Sequence, residues 1–170
     1  MAGNKYLSNN SGVLTEVIAN QTSAGAGDAG KIPALDATGK LDSTLMPVGL
    51  VSETDSIVTS ENLAAGDFVN IWASTGVKAR KADATVAGKE AHGFVLAAVT
   101  SPAAATVYRI SQNNTQLTSM TPGAKQYLNT TAGGRTETPP AASGNAVQFL
   151  GIAKSVTEMI FIPYPPIVLA

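Results

Sequence analysis

Gly25, Gly27 and Gly30 are spaced as G-x-G-x-x-G, the pattern of a dinucleotide-binding turn. That chemistry needs a strand before the glycines and a helix after them, so that the helix N-terminus faces the pyrophosphate. Here Asn20 to Ala24 is polar, and Pro33 follows three residues after Gly30, so the stretch reads as a flexible hinge. His92 is the only histidine and precedes an apolar run. Zinc binding or proton transfer would require further ligands or a positioned carboxylate; His92 reads as a turn or strand-end residue. Asp28, Asp36 and Asp42 suggest a calcium loop, but the EF-hand spacing and its closing glutamate are missing, which leaves turn capping or solvation. Asp67 with Glu61, or Glu137 with Glu158, could be drawn as a glycosidase pair. A chain with 12 acids always offers such pairs, and no nucleophile–base set can be assembled around them. The expectation is a protein that is not an enzyme, with no catalytic residue, no cofactor and no metal site.

Binding chemistry is narrowed in the same way. The densest basic run is Lys78, Arg80 and Lys81, in a chain of net charge −1. Neutralising phosphates needs a basic surface, so no nucleic acid is expected as a partner and the run reads as a solvated strand edge. Trp72, Tyr108 and Tyr127 could offer flat apolar faces to a sugar. Each falls in a strand-like run, so core or subunit interface is the expectation and a host glycan the alternative. Cysteine is absent, which removes disulfides and thiolate metal sites. Met1 to Lys5 has no apolar stretch of the signal-peptide kind, so synthesis in a cytoplasm without secretion is expected. The Asn-x-Ser/Thr sequons at Asn9, Asn20, Asn113 and Asn129 are then chance. The apolar stretch Met159 to Ala170 is too short to span a bilayer and is broken by Pro163, Pro165 and Pro166, so no membrane is expected as a partner.

The elements that must carry any function divide near residue 50. Residues 1–50 have Tyr6 as their only aromatic and no sustained period of two or of 3.6. Val13–Ile18 is a candidate strand or helical turn. From Lys31 to Pro47 the apolar residues stand singly and cannot by themselves offset the entropy of ordering the chain. The expectation is an extended, largely irregular N-terminal arm, disordered alone or ordered against a partner. Residues 51–170 read as short β-prone runs divided by Gly, Pro, Asn and Asp: 56–59, 67–72, 77–81, 93–99, 105–110, 124–129, 147–153 and 156–162. The run 93–99 is apolar throughout, as for a strand buried on both faces. Strands without intervening helices predict an all-β sandwich or barrel. Charged residues are only 14%, against about 25% in an ordinary soluble domain, which suits strands that pack on other surfaces.

Two stretches carry a resemblance. Gly30 to Pro47 resembles a linker-like phrase found near the N-termini of head-decoration, head-fibre and tail-fibre proteins of tailed bacteriophages. Leu117 to Leu128, continued through Gly133–Pro140, Val147–Ala153 and Ser155–Pro163, resembles the small β-module those proteins use repeatedly. The resemblance implies a capsid decoration, or cement, protein on the virion surface. Its domain at 51–170 would be a β-barrel, β-tulip or sandwich, and it would be a homotrimer seated on the major capsid protein. The arm at 1–50 would bind the capsid, its segment Lys31 to Pro47 lying across a capsid subunit and ordering on binding, with Ile32, Leu35, Leu41, Leu45 and Met46 as apolar anchors. The alternative is a head- or tail-fibre adhesin module binding host surface polysaccharide. The long repetitive shaft of a fibre is missing from this sequence.

Overall fold

A computed structural model describes residues 4–46 and 53–170. Pro47, the last residue of the linker-like stretch, and the boundary expected between 50 and 51 lie outside them. The chain divides into two compact units, Met1–Val51 and Ser52–Ala170.

The first unit opens with a hairpin, β1 (Lys5–Asn10) and β2 (Val13–Ile18), antiparallel in the register Lys5↔Ile18 to Asn10↔Val13. Ser11 and Gly12 connect them with φ of 54° and 89°. Positive φ at both central residues is the type I′ geometry whose twist matches a two-residue hairpin. The Gly12 N–H also donates to Asn9 Oδ1 at 2.8 Å. Of the two readings open for Val13–Ile18, the strand is therefore what forms, and its partner is a segment with no apolar alternation of its own. Past the hairpin, Asn20 bridges Pro33 in parallel, donating to Ile32 O and accepting from Ala34 N–H. Two 3-10 turns, Ala26–Asp28 and Ser43–Leu45, complete the unit.

Among the described residues the second unit is built from twelve short strands. These are β3 (Thr54–Val58), β4 (Phe68–Ser74), β5 (Gly76–Lys81), β6 (Gly93–Val95), β7 (Ala104–Tyr108), β8 (Asn113–Asn114), β9 (Lys125–Leu128), β10 (Arg135–Thr136), β11 (Ala146–Val147), β12 (Phe149–Ala153), β13 (Met159–Phe161) and β14 (Ile167–Val168). One antiparallel sheet runs β3-β7-β6-β4-β5 and a second runs β10-β9-β12-β13-β8, while β11 and β14 form a small ladder. The fold is all-β, as its composition predicts. Among the described residues no barrel closes: the edges of the first sheet meet at an isolated bridge between Thr59 and Ala79, with Ser60 N–H donating to Ala79 O, and not in a continuous ladder.

Strand alternation sorts the apolar residues into two cores. Phe68, Phe94 and Tyr108 turn one way, against Leu128, Leu150, Met159 and Phe161 of the second sheet. Val69, Val95 and Val107 turn the other way, into a cluster with Ile57, Leu63, Ala79 and Ala105. β6 and the first half of β4, Phe68–Asn70, are thus buried on both faces. The expected long strand 93–99 is shorter than its apolar run: β6 stops at Val95, and Val99 instead bridges Leu63. The centre of the first core is aromatic, with Phe161 at 5.8 Å from Phe68 and 5.6 Å from Phe94 between ring centroids. Buried amides are bonded throughout: Gln148 grips Ala91 through its N–H and its carbonyl, and Asn114 Nδ2 donates to Gly66 O. Gly151 marks a bulge in β12, where the register against β9 shifts. Its φ is 151°, and a Cβ there would stand 1.9 Å from Ile160 O.

Two stability results are expected. Phe161→Ala should lower the unfolding free energy of the 53–170 unit by about 3–5 kcal/mol, read as a lower urea midpoint at unchanged slope. Gly151→Ala should part β12 from β13, measurable as lost amide protection at Ile152 and Ile160.

Candidate partner-binding surface

Among the described residues 4–46, none is buried. Every fully buried apolar side chain belongs to the second unit. What holds the arm is therefore polar and local. Asp36 Oδ1 accepts the N–H of Thr38 and of Lys40 and the Thr38 hydroxyl, at 2.7–3.0 Å, across the turn that Gly39 closes at φ 77°. Asp42 caps the second 3-10 turn by accepting the Thr44 N–H and hydroxyl. The Thr44 hydroxyl oxygen also accepts from Ser23 N–H at 2.8 Å, tying the two halves of the arm together. Asp28 accepts the Ala24 N–H and pairs with Lys31 at 2.8 Å.

These bonds favour the charged carboxylates. The Lys31 ammonium, followed by the Ala24 N–H, brings Asp28 down to about 2. Asp36 is lowered chiefly by the Lys40 N–H, and Asp42 chiefly by Thr44. Asp36 and Asp42 close turns, and Asp28 bonds the backbone just ahead of its own: the G-x-G-x-x-G stretch is a 3-10 turn flanked by Gly25 and Gly30 at positive φ, with no strand leading directly in.

Turns of this kind leave the apolar side chains outside. Of the expected anchors, Ile32, Leu35, Leu41 and Met46 are exposed, by 51%, 53%, 46% and 41%, and Leu45 is half-buried. Ile32 and Leu35 come together in a recess with Tyr6, Ala19 and Pro33; Leu41, Leu45 and Met46 lie outside that recess. The sequence argument missed a second apolar surface. By the alternation of the hairpin, Leu7, Leu14 and Ile18 share one face with the Lys5–Glu16 ion pair, and each is at least 66% exposed. Val13, also exposed, lies on the other face with Tyr6 and Val17. The signal that could have found this face was Ser11-Gly12, a turn directly before Val13.

The other candidate residues serve the scaffold of the second unit. Asp67 pairs with Lys81 at 3.2 Å, and Glu61 accepts the Lys81 N–H. Glu137 accepts the Thr121 N–H and lies 3.8 Å from Arg135, while Glu158 pairs with Lys154. Arg80 stacks 4.5 Å over Trp72 and donates to Asn70. Tyr108 stacks on Phe94, and Tyr127 meets Phe149 edge-on. His92 Nδ1 accepts the Ile71 N–H.

No family model matches the chain, and no curated protein or solved structure matches it either.

The carboxylate caps give the arm an acid limit. Their folded values lie below the unfolded value of about 3.9, so their stabilisation is complete above that pH and is lost as the pH falls toward about 2, the value of Asp28. In an acid titration followed by NMR, the Thr38, Lys40 and Thr44 amide signals should move with midpoints below the ordinary aspartate range. Midpoints at the ordinary value would show the carboxylates to be free.

Proposed function

We propose that the chain is a non-enzymatic structural protein of a tailed-bacteriophage particle, which binds the outside of the capsid and stabilises contacts between major capsid subunits. The arm grips the capsid protein and the β unit sits on the particle surface, in a homotrimer. One observation carries the reading most of the way. Among the described residues 4–46 none is buried, and Leu7, Val13, Leu14, Ile18, Ile32, Leu35, Leu41 and Met46 are held out.

The energetics agree with a docking role. An isolated two-stranded hairpin is at best marginally stable in water. Covering an aliphatic side chain contributes about 1.5–3 kcal/mol, and association costs on the order of 4–15 kcal/mol. A partner that covers most of these eight side chains offsets that cost; one that covers two gains only about 3–6 kcal/mol, below most of that range. Bridging two subunits with such contacts raises the free energy needed to part them, and three linked arms hold more firmly than one. The resemblance of Gly30 to Pro47 to phage linker segments supplies the identity of the partner.

The full chain should cosediment with expanded capsids at micromolar concentration and raise their thermal disruption temperature. The triple variant Leu7→Ser, Leu14→Ser, Ile18→Ser should weaken binding by at least tenfold, and Leu35→Asp with Leu41→Asp should do the same. The 53–170 unit should keep its denaturation midpoint in both. Wild-type protein that stays in the supernatant while the capsids pellet would sink the reading.

A further inference from the structure

The second unit carries a cleft that its scaffold does not use. It has a volume of about 650 Å³ and is lined by Ile71, Glu90, His92, Arg109, Tyr164 and the prolines around Tyr164. That is within the range of small-ligand sites, about 300–1,000 Å³. Tyr164 is 60% exposed, yet it is fixed in place. Its ring leans on Phe149 with centroids 4.9 Å apart, Phe149 meets Tyr127 at 6.0 Å, and the Tyr164 N–H donates to Phe149 O. Pro163, Pro165 and Pro166 restrict the backbone on both sides. A ring held in this way offers a flat apolar platform at little cost in ordering.

The polar groups beside the platform are of mixed kind. His92 Nδ1 accepts the Ile71 N–H, so the neutral ring carries its proton on Nε2, a donor. Glu90 accepts the Gly88 N–H through Oε1, which leaves Oε2 as an acceptor. Arg109 is held by Asp55 at 2.9 Å and donates to His92 O at 3.2 Å. The cationic group is thus matched by Asp55, and Glu90 adds a negative charge. A phosphate or sulfate would meet repulsion here. Hydroxyl groups, which both donate and accept, match this set, and the C–H face of a sugar ring matches Tyr164.

We propose that this cleft binds a neutral oligosaccharide, with Tyr164 as the stacking platform and Glu90, His92 and Arg109 as hydroxyl partners. This function is additional to the capsid role and does not depend on what the arm grips. Displayed in many copies on one object, a weak site of this kind gives firm but reversible adhesion to a glycan-coated surface.

The test applies full-length protein to a printed array of neutral and acidic bacterial surface glycans, followed by titration with the best soluble oligosaccharide. Binding to neutral glycans is expected. Tyr164→Ala should weaken it by about tenfold, the loss of one stacking contact, while Tyr164→Phe keeps it. Glu90→Gln, which can still accept from Gly88, should also weaken it and serves if Tyr164→Ala fails to fold. The proposal is overturned by an array without signal, by a preference for acidic glycans, or by binding that neither variant changes. Light scattering in which Tyr164→Ala lowers the oligomer mass would overturn it too, since the cleft would then be a contact between copies.

Discussion

Ordering a chain costs about 1–2 kcal/mol per residue of backbone, and in residues 4–46 nothing is buried to offset it. The arm meets this constraint with hydrogen bonds that close short loops. Asp36, Asp42 and Asp28 each satisfy two or more donors within a few residues, and the Ser11-Gly12 turn sets the hairpin register. Such bonds fix direction but add little net stability, because water competes for every one of them. They therefore shape the arm without enclosing it. Aliphatic side chains that a core would have taken remain on the outside, and their number exceeds what scattered surface apolar residues would explain.

The β unit solves the same entropy problem in the usual way. Because β4 and β6 sit inside the first sheet, and β6 and the first half of β4 are covered on both sides, alternate residues of one strand feed two cores. Phe161 on β13 closes the larger core against Phe68 and Phe94, so the two sheets share one aromatic contact layer. Gln148, Asn114 and Asn70 bond loop backbone that no ladder reaches. Loops supported in this way hold still, and the cleft beside Tyr164 is lined by such segments: Ala91 is clamped by Gln148, and His92 is tied to Ile71.

How much of this was legible follows from which forces leave a local trace. Runs with apolar alternation or continuity, such as 67–72, 77–81 and 147–153, became β4, β5 and β12 because the residues that make the core also make the pattern. β8 and β14 are two-residue pairings created by their neighbours, and Asn113-Asn114 carries no strand signal. β1 was hidden for the same reason: Lys5–Asn10 is a strand because the turn after it presents β2. The singly spaced Ile32, Leu35, Leu41 and Met46 could be read as unsatisfied apolar groups, and they are exposed. The hairpin face was legible only through Ser11-Gly12, since which residues share it depends on the register that this turn sets. Tyr164 stands among prolines that rule out an inner strand and so carries no strand signal, yet the same prolines restrict the backbone that holds its ring.

A coreless arm and a rigid β unit impose different demands on whatever meets them. Contact with the arm must cover many side chains at once to supply the burial that residues 4–46 lack, so it is sensitive to the loss of any large part of the surface. Contact with the cleft meets groups already in place, loses little entropy, and is limited by its small area. A strong, broad attachment through one unit and a weak, local recognition through the other suit a protein present in many copies on one object. Under the proposed function the first contact fixes the protein to the particle, and the proposed glycan contact gains strength from repetition there. The low charge of the chain fits both: neither surface depends on a strong field, so neither contact should be abolished by salt at the levels that dissociate charge-driven complexes.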